Sequence, residues 1–294
     1  MILVDFNQTL ISNLMANIGS NPNADINEDL IRHMVLSSIL MYKRKFGQDY
    51  GNLVFACDDR NYWRKDVFPF YKSNRKKTRD KSDFDWKLIF NTLNKIRDEI
   101  KKHFNYVVIQ VDRAEADDVI GSLVFRSQKK DFVSEGLFEE PEQIMIVSGD
   151  KDFVQLQKFS NVKQYSPIQK RLITTDDPDK FIKEHIMRGD SGDGVPNFLS
   201  DDDVFIQDGK RQSPIYKKKL EVWLNESPEE FCDSEMLRNY HRNKQLIDLD
   251  CIPRDIQDKI VEEYEKGPHP EDPNLFNYFI KKQLKHLMES ISEF

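Results

Sequence analysis

Acidic side chains recur in this chain directly behind apolar runs. In Ile144–Leu156, "IMIVSGDKDFVQL", such a run is followed by two aspartates one residue apart, Asp150 and Asp152. Three other runs end alike: "ILVD" at Asp5, "LVFACDD" at Asp58 and Asp59, and "YVVIQVD" at Asp112. Two further blocks are "RAEADDVIGSLV", with Glu115, Asp117 and Asp118, and "MRGDSGDGVPN", with Asp190 and Asp193. Gathered in one crevice, so many like charges would raise one another's pKa and cost several kcal/mol unless cations neutralised them. Bound divalent metal is the simplest remedy. Two magnesium ions roughly 3.5–4 Å apart, held by carboxylates, suit in-line phosphodiester hydrolysis. In "GDKD" the alternation of side-chain direction lets Asp150 and Asp152 serve different ions, or different sides of one, while Gly149 relieves crowding. In "EADD" a helical spacing puts Glu115 and Asp118 on one face and points Asp117 elsewhere. A single aspartate after a strand is ordinarily a cap or turn residue, the role that Asp59 and Asp112 fit best.

These side chains need elements to position them. The four apolar runs alternate with helical patterns. In "INEDLIRHMVLSSILMYKRKFG", Ile31, Met34, Val35 and Ile39 share a side and Gly47 is the expected stop; "SDFDWKLIFNTLNKIRDEI" repeats Trp86, Ile89, Phe90, Leu93, Ile96 and Ile100. Apolar strands alternating with amphipathic helices predict an α/β fold with a mostly parallel central sheet flanked by helices. In such a sheet the carboxyl ends of the strands open onto one crevice, so Asp5, Asp58, Asp112 and Asp150 become neighbours. After about residue 175 helix punctuation takes over: Pro178 in a first turn, a capping box at Ser227 and Glu230 opening "SPEEFCDSEMLRNYHRNKQLI", and Gly267–Pro268 closing "IPRDIQDKIVEEYEKGP". "DGKRQSP", 208–214, is read as a loop.

With 294 residues, 38% hydrophobic and 32% charged, the chain is long enough for a sizeable core. Cys57, Cys232 and Cys251 show no C-x-x-C spacing, and the six histidines form no H-E-x-x-H pair. That argues against zinc and leaves oxygen ligands, hence a hard ion such as magnesium or manganese. No phosphate loop, G-x-G-x-x-G or G-x-S-x-G elbow is present. Without a signal-peptide pattern or an apolar run of membrane length, a cytoplasmic protein with no membrane contact is expected. The net charge of −7 hides an asymmetry: Arg60 to Lys81 holds nine Lys or Arg against two Asp, a net +7 that leaves −14 elsewhere. Tyr62, Trp63, Phe68, Phe70 and Tyr71 are interleaved with those cations, a mixture suited to single-stranded nucleic acid.

Five ordered blocks, "LVDFNQTLI", "VFACDDRNYWRKDVFPFYKSNRK", "AEADDVIGSL", "VSGDKDFVQL" and "RGDSGDGVPN", resemble the acidic motifs of the 5′-nuclease superfamily, which includes flap endonucleases and the 5′-exonuclease domains of DNA polymerases. "NVKQYSPIQKR" and "ISEF" bring the likeness nearest to its T-even phage branch, over essentially the whole chain. The resemblance implies a PIN-like nuclease core over 1–190, with a basic helical arch within 60–81, and a helical DNA-binding region over 191–294. It implies a first metal held by Asp5, Asp58 and the Glu115, Asp117, Asp118 cluster, and a second served by Asp150, Asp152, Asp190 and Asp193. Lys72 is then the arch lysine aimed at the scissile phosphate, with Arg75 beside it and Tyr71 stacking on a terminal base; these two cations act with Asp5, Asp58 and Asp150 in catalysis. Arg64, Lys76 and Lys77 would add nucleic-acid contacts. Residues 194–208 depart from the family's glycine-rich helix-hairpin-helix, and Lys210, Arg211 and Lys217 to Lys219 are the expected substitutes.

The expected activity is that of a magnesium-dependent 5′–3′ exonuclease, flap endonuclease and ribonuclease H, with manganese as a substitute ion. It would remove RNA primers and adjacent DNA from lagging-strand fragments during phage replication in the infected host. DNA and RNA–DNA hybrid with 5′ ends, forks or flaps are the implied partners of a monomer, with a single-strand-binding protein and a sliding clamp as family-level expectations. A PIN-type ribonuclease and a non-catalytic binder of forked DNA are the rivals.

Overall fold

The apolar runs form the centre of the sheet. The structure, a computed structural model, describes residues 1–20, 26–79, 84–129 and 141–294, apart from the side chains of 18–20 and 76–78. Strands β1 (Ile2–Asp5), β2 (Leu53–Ala56), β3 (Val107–Ile109) and β4 (Ile144–Val147) are the four runs read from the sequence. Every residue of β1, β2 and β4 is buried, as expected of strands covered on both faces. Two more strands, β5 (Val162–Ser166) and β6 (Arg171–Ile173), extend the sheet, which has the order β3-β2-β1-β4-β5-β6. All pairings are parallel except β5 with β6. The last two strands carry Lys163, Gln164 and Arg171, so they lack the near-continuous apolar signature.

Register brings the acids together. Asp5 lies opposite Ala56, two residues before Asp58, and Val4 lies opposite Val147, three residues before Asp150. From β1 the strand order runs outward to β2 and β3 on one side and to β4 and β5 on the other. The crevice therefore opens at the topological switch point, where open α/β sheets bind ligands.

In chain order the helices are α1 (Phe6–Ser20), α2 (Glu28–Tyr50), α3 (Arg64–Val67), α4 (Asn74–Arg79), α5 (Trp86–His103), α6 (Ala116–Ser127), α7 (Pro178–Arg188), α8 (Lys217–Trp223), α9 (Pro228–Phe231), α10 (Ser234–Ile247), α11 (Arg254–Glu265) and α12 (Leu275–Lys281). One sheet face is covered by α1, α2 and α5, whose Leu36, Ile39, Ile96 and Ile100 pack with Phe55 and with Phe279 and Phe294 from the C-terminus. Across the sheet, Val119, Ile120 and Leu123 of α6 meet Ile256 and Ile260 of α11. The helical C-terminal region is thus packed into both cores.

Two helix ends differ from expectation. Helix α2 passes through Gly47 and stops at Gly51, whose φ of 78° supplies the left-handed conformation that a helix cap uses. The stretch opened by Ser227 forms its capping box but breaks after Phe231, because the Asp233 carboxylate accepts the N–H groups of Glu235 and Met236 and starts α10 afresh. Residues 196–216 run as turns and irregular chain, with the predicted loop at 208–214 among them. No helix among the described residues is long and apolar enough to cross a membrane.

Candidate metal centre and arch

Asp5 ends β1 and is buried, its Oδ1 accepting the Gln8 N–H at 3.2 Å and its Oδ2 accepting the Ser148 hydroxyl at 3.2 Å. Asp58 accepts the Ala116 N–H on Oδ1 at 2.9 Å and the Asn7 amide on Oδ2 at 3.0 Å. Asp150 caps the 3₁₀ helix Lys151–Lys158 through the Asp152 N–H at 3.0 Å. Burial, then the nearby carboxylates of Asp58 and Asp150, pushes Asp5 up to about 8. Burial and the charge of Asp152 push Asp150 up to about 7. Asp117 is held well above the carboxylate range by burial and by Asp150 and Asp5. Among the described residues, none of Asp5, Asp58, Asp117 and Asp150 has an ion-pair partner, so no salt bridge offsets the charge these carboxyls carry once they ionise. An all-oxygen set of this kind fits a hard divalent cation.

The "EADD" block divides between two jobs. Its helical spacing does place Glu115 and Asp118 on one face, but that face meets the arch. Arg64, buried, reaches Glu115 Oε2 at 2.8 Å and Asp118 at 2.9 Å and donates through Nε to the Leu246 carbonyl at 2.8 Å. Asp118 also accepts Trp63 Nε1–H at 3.1 Å and the Glu115 N–H at 2.8 Å. Asp117, which the spacing pointed elsewhere, is the member whose charge interacts with those of Asp150 and Asp5. Glu115 and Asp118, both expected as metal ligands, each pair with Arg64 in this arrangement. Arg64, expected on nucleic acid, has its guanidinium enclosed by those partners.

A second acidic group forms around the 3₁₀ helix, the end of α7 and the turn that follows. Asp177 caps α7, Pro178 occupies its first turn, and Gly189 ends it at φ 67°, where an added Cβ would lie 2.4 Å from the Pro196 carbonyl oxygen. The turn closes through an Asp190–Val195 bridge, and Asp190 Oδ1 accepts the Gly192 N–H at 2.8 Å. Asp152 Oδ1 lies 2.7 Å from His185 Nε2, while Asp190 Oδ2 is 3.7 Å from that nitrogen and 3.2 Å from Lys151 Nζ. His185 was not singled out from the sequence, because its acidic neighbours come from different segments and leave no H-E-x-x-H spacing to read. Its one local signal is its place a turn ahead of "RGDSGD".

The base of the arch is fastened to that turn. Lys72 adopts a left-handed φ of 58°, donates its N–H to the Asp193 carbonyl at 2.7 Å, and contacts Glu115 through Nζ. Such a backbone costs a non-glycine residue on the order of 1 kcal/mol and is concentrated at functional sites. Although burial would lower its pKa, Glu115 and Asp193 hold the Lys72 ammonium above the usual lysine range. Tyr71 donates its hydroxyl to Glu115 at 3.1 Å or Asp193 at 2.9 Å, and Arg75 pairs with Asp193. Burial alone would raise the Asp193 carboxyl, but Lys72 and Arg75 keep it below its ordinary value.

Trp63, Phe68 and Tyr71 are buried, so the aromatic residues read as a stacking surface instead form much of the floor beneath the arch. Tyr71 meets Tyr62 edge-on at 6.4 Å and Phe68 meets Phe70 edge-on at 5.6 Å, both within the cluster that includes Ile186 and Val195. Lys76 and Lys77 lie on α4 with side chains outside the described set, and residues 80–83, with Lys81 of the expected arch, lie outside the described residues. Asp59 accepts the N–H groups of Asn61 and Arg113, and Asp112 is exposed beyond the edge strand β3, so neither joins the crevice. Lys210 pairs with Asp201 at 2.7 Å and Asp203 at 2.6 Å, whereas Arg211 is exposed.

Residues 4–185 match the family described as the 5′–3′ exonuclease N-terminal resolvase-like domain, and residues 177–294 match the one described as T4 RNase H, C terminal. The chain is 33% identical over 302 residues to ribonuclease H of Enterobacteria phage T4, covering 99% of this chain and 95% of that protein. A 5′–3′ exonuclease of Buchnera aphidicola is 28% identical over 152 residues, covering 49% of this chain and 46% of its own length. Two solved structures share the fold at 16% identity. The bacteriophage T5 flap endonuclease, in a pseudo-enzyme–product complex with DNA and metal ions, superposes with a TM-score of 0.60 over 90% of this chain and 97% of that one. The T5 5′-exonuclease with bound zinc gives 0.58 over 92% and 99%.

Proposed function

Because the chain belongs to the family of phage T4 ribonuclease H and the 5′–3′ exonucleases, we propose that it is a two-metal 5′–3′ nuclease that hydrolyses RNA in RNA–DNA hybrids and DNA from 5′ ends, nicks and flaps. The observation that carries this reading is the quartet Asp5, Asp58, Asp117 and Asp150, buried or half-buried without a protein cation, below an arch base that presents Lys72 and Arg75.

Asp5, Asp58, Asp117 and Asp150 would hold the first divalent ion, and Asp152, Asp190 and Asp193 the second. Magnesium is the ion we assign, with manganese as its substitute; bound there, such ions supply Lewis-acid stabilisation of phosphate charge and acidify water. Asn7, Gln8 and Ser148 orient the carboxylates by hydrogen bonds. Lys72 takes the scissile phosphate, handing its contact with Glu115 to the incoming oxygen, and Arg75 neutralises the neighbouring charge. Arg64 stays with Glu115 and Asp118, so the acidic wall keeps its shape when Lys72 turns to substrate. Exposed Arg60, Lys65 and Arg79 supply salt-sensitive contact along the arch.

In the cell the proposed work is removal of RNA primers and adjacent DNA from lagging-strand fragments in phage replication, by a cytoplasmic monomer that meets a single-strand-binding protein and a sliding clamp. The test is incubation with 5′-labelled flap, gapped and RNA–DNA hybrid substrates, with magnesium and with chelator. Magnesium-dependent release of 5′ products is expected, together with loss of turnover but retained DNA binding in Asp150→Asn. Salt-dependent binding with no product would leave a non-catalytic binder; cleavage confined to single-stranded RNA would leave a PIN-type ribonuclease.

A further inference from the structure

We propose that His185 is itself a ligand of the second divalent-ion position, making it a mixed nitrogen–oxygen site that prefers manganese to magnesium. The inference rests on the metal-dependent reading above and adds a donor that the acidic motifs do not contain.

His185 lies in the last turn of α7 and is 6% exposed. Its Nε2 is 2.7 Å from Asp152 Oδ1 and 3.7 Å from Asp190 Oδ2, and one donor atom from each of the three residues lies within 4.8 Å of the others. Two donors bound to one ion at about 2.1 Å stand roughly 3.0 Å apart at a right angle and about 3.4 Å at a tetrahedral angle. The two measured separations bracket those values. Each donor comes from a different, locally stiffened element: the capped 3₁₀ helix, the end of α7, and the turn closed by the Asp190–Val195 bridge. A cavity of about 410 Å³, lined by Lys151, His185, Arg188 and Gln212 among others, opens beside the group and has room for an ion's remaining waters.

A hydrogen on Nε2 would be donated to Asp152, because a carboxylate oxygen only accepts. On coordination the neutral imidazole carries its single hydrogen on Nδ1, and the Nε2 lone pair faces the ion. Lys151 Nζ, 3.2 Å from Asp190, is the competing cation and must swing outward. Imidazole favours first-row transition ions, whereas magnesium prefers oxygen donors and retains its waters. The nitrogen should therefore shift selectivity at this position and leave the all-oxygen quartet unchanged.

The test uses the full-length protein loaded with Mn²⁺ and pulsed electron paramagnetic resonance, which detects ¹⁴N coupled to manganese. Wild type should show coupling from one directly bound imidazole nitrogen, and His185→Gln should lose it. In calorimetric titrations that substitution should weaken one Mn²⁺ site by about 10- to 100-fold while changing Mg²⁺ affinity only slightly. The wild-type spectrum does not depend on whether the variant folds. Manganese bound at two sites without nitrogen coupling overturns the inference and leaves the nuclease reading standing. Equal weakening of both ions without coupling also overturns it, reducing His185 to an orienter of Asp152. Failure of wild type to bind Mn²⁺ at all would sink the metal-dependent reading along with it.

Discussion

Replacing Asp150 by Asn should make the metal-free protein more stable while destroying its activity. Asp150 ionises at about 7 in the folded protein against an ordinary 3.8, chiefly because burial and Asp152 disfavour its charge. At about 1.4 kcal/mol per pKa unit, the ionised carboxylate costs the native state roughly 4 kcal/mol at pH 8. Partial solvent contact reduces the expected gain to about 2–3 kcal/mol. Asn keeps the hydrogen bond to the Asp152 N–H, since its amide oxygen takes the place of Oδ1. The sign with pH follows from the direction of the shift. Folded-state values of about 7 for Asp150 and about 8 for Asp5 lie above the unfolded value, so between about pH 4 and 8 the native protein holds protons that the unfolded chain has released. Stability of the wild type in chelator is full below that window and falls as pH rises through it. Urea denaturation in chelator should accordingly give a higher midpoint for Asp150→Asn at pH 8, and less than half that advantage at pH 5. In thermal melts at pH 8 the gain corresponds to about 3–5 °C. Adding Mg²⁺ or Mn²⁺ should reverse the order, raising wild type far more than the variant. An unchanged or lower midpoint for Asp150→Asn at pH 8 in chelator would refute the idea that the crevice holds unneutralised charge.

Three other substitutions probe separate parts of the site. Arg64→Met should destabilise the protein by about 3–5 kcal/mol in urea denaturation, because Glu115 and Asp118 lose their shared buried cation. Gly189→Ala combines a φ of 67° with a Cβ 2.4 Å from the Pro196 oxygen. It should cost roughly 1–3 kcal/mol or more in the same assay, and in Mn²⁺ titrations it should weaken one of two sites by displacing Asp190. Lys72→Ala should lower the single-turnover cleavage rate by about 100- to 1000-fold with a much smaller change in flap-DNA affinity, separable by quench-flow and fluorescence anisotropy.

The catalytic outline was legible where chemistry and period coincide. Apolar runs ending at Asp5, Asp58 and Asp150 required only that the sheet be parallel for their carboxylates to meet, and the register places them there. The fourth run shows the limit of that rule, since β3 lies at the sheet edge, away from the switch point, and Asp112 stays in solvent. Strands β5 and β6 escaped because polar residues on an outer pair break the apolar pattern.

Residue types and their order along the chain determined the α/β architecture, the helical C-terminal region, and the acids and cations from which a nuclease site can be built. Tertiary structure alone decided their division of labour: Glu115 and Asp118 fastened to Arg64, Asp117 turned into the quartet, the arch aromatics folded inward, and His185 set between Asp152 and Asp190. Local spacing can say which residues share a helical face, but whether that face meets a guanidinium, a ring or another carboxylate depends on segments thirty or more positions away. Those distant partners set the desolvation and Coulomb energies that determine which acid stays charged and which remains free for metal.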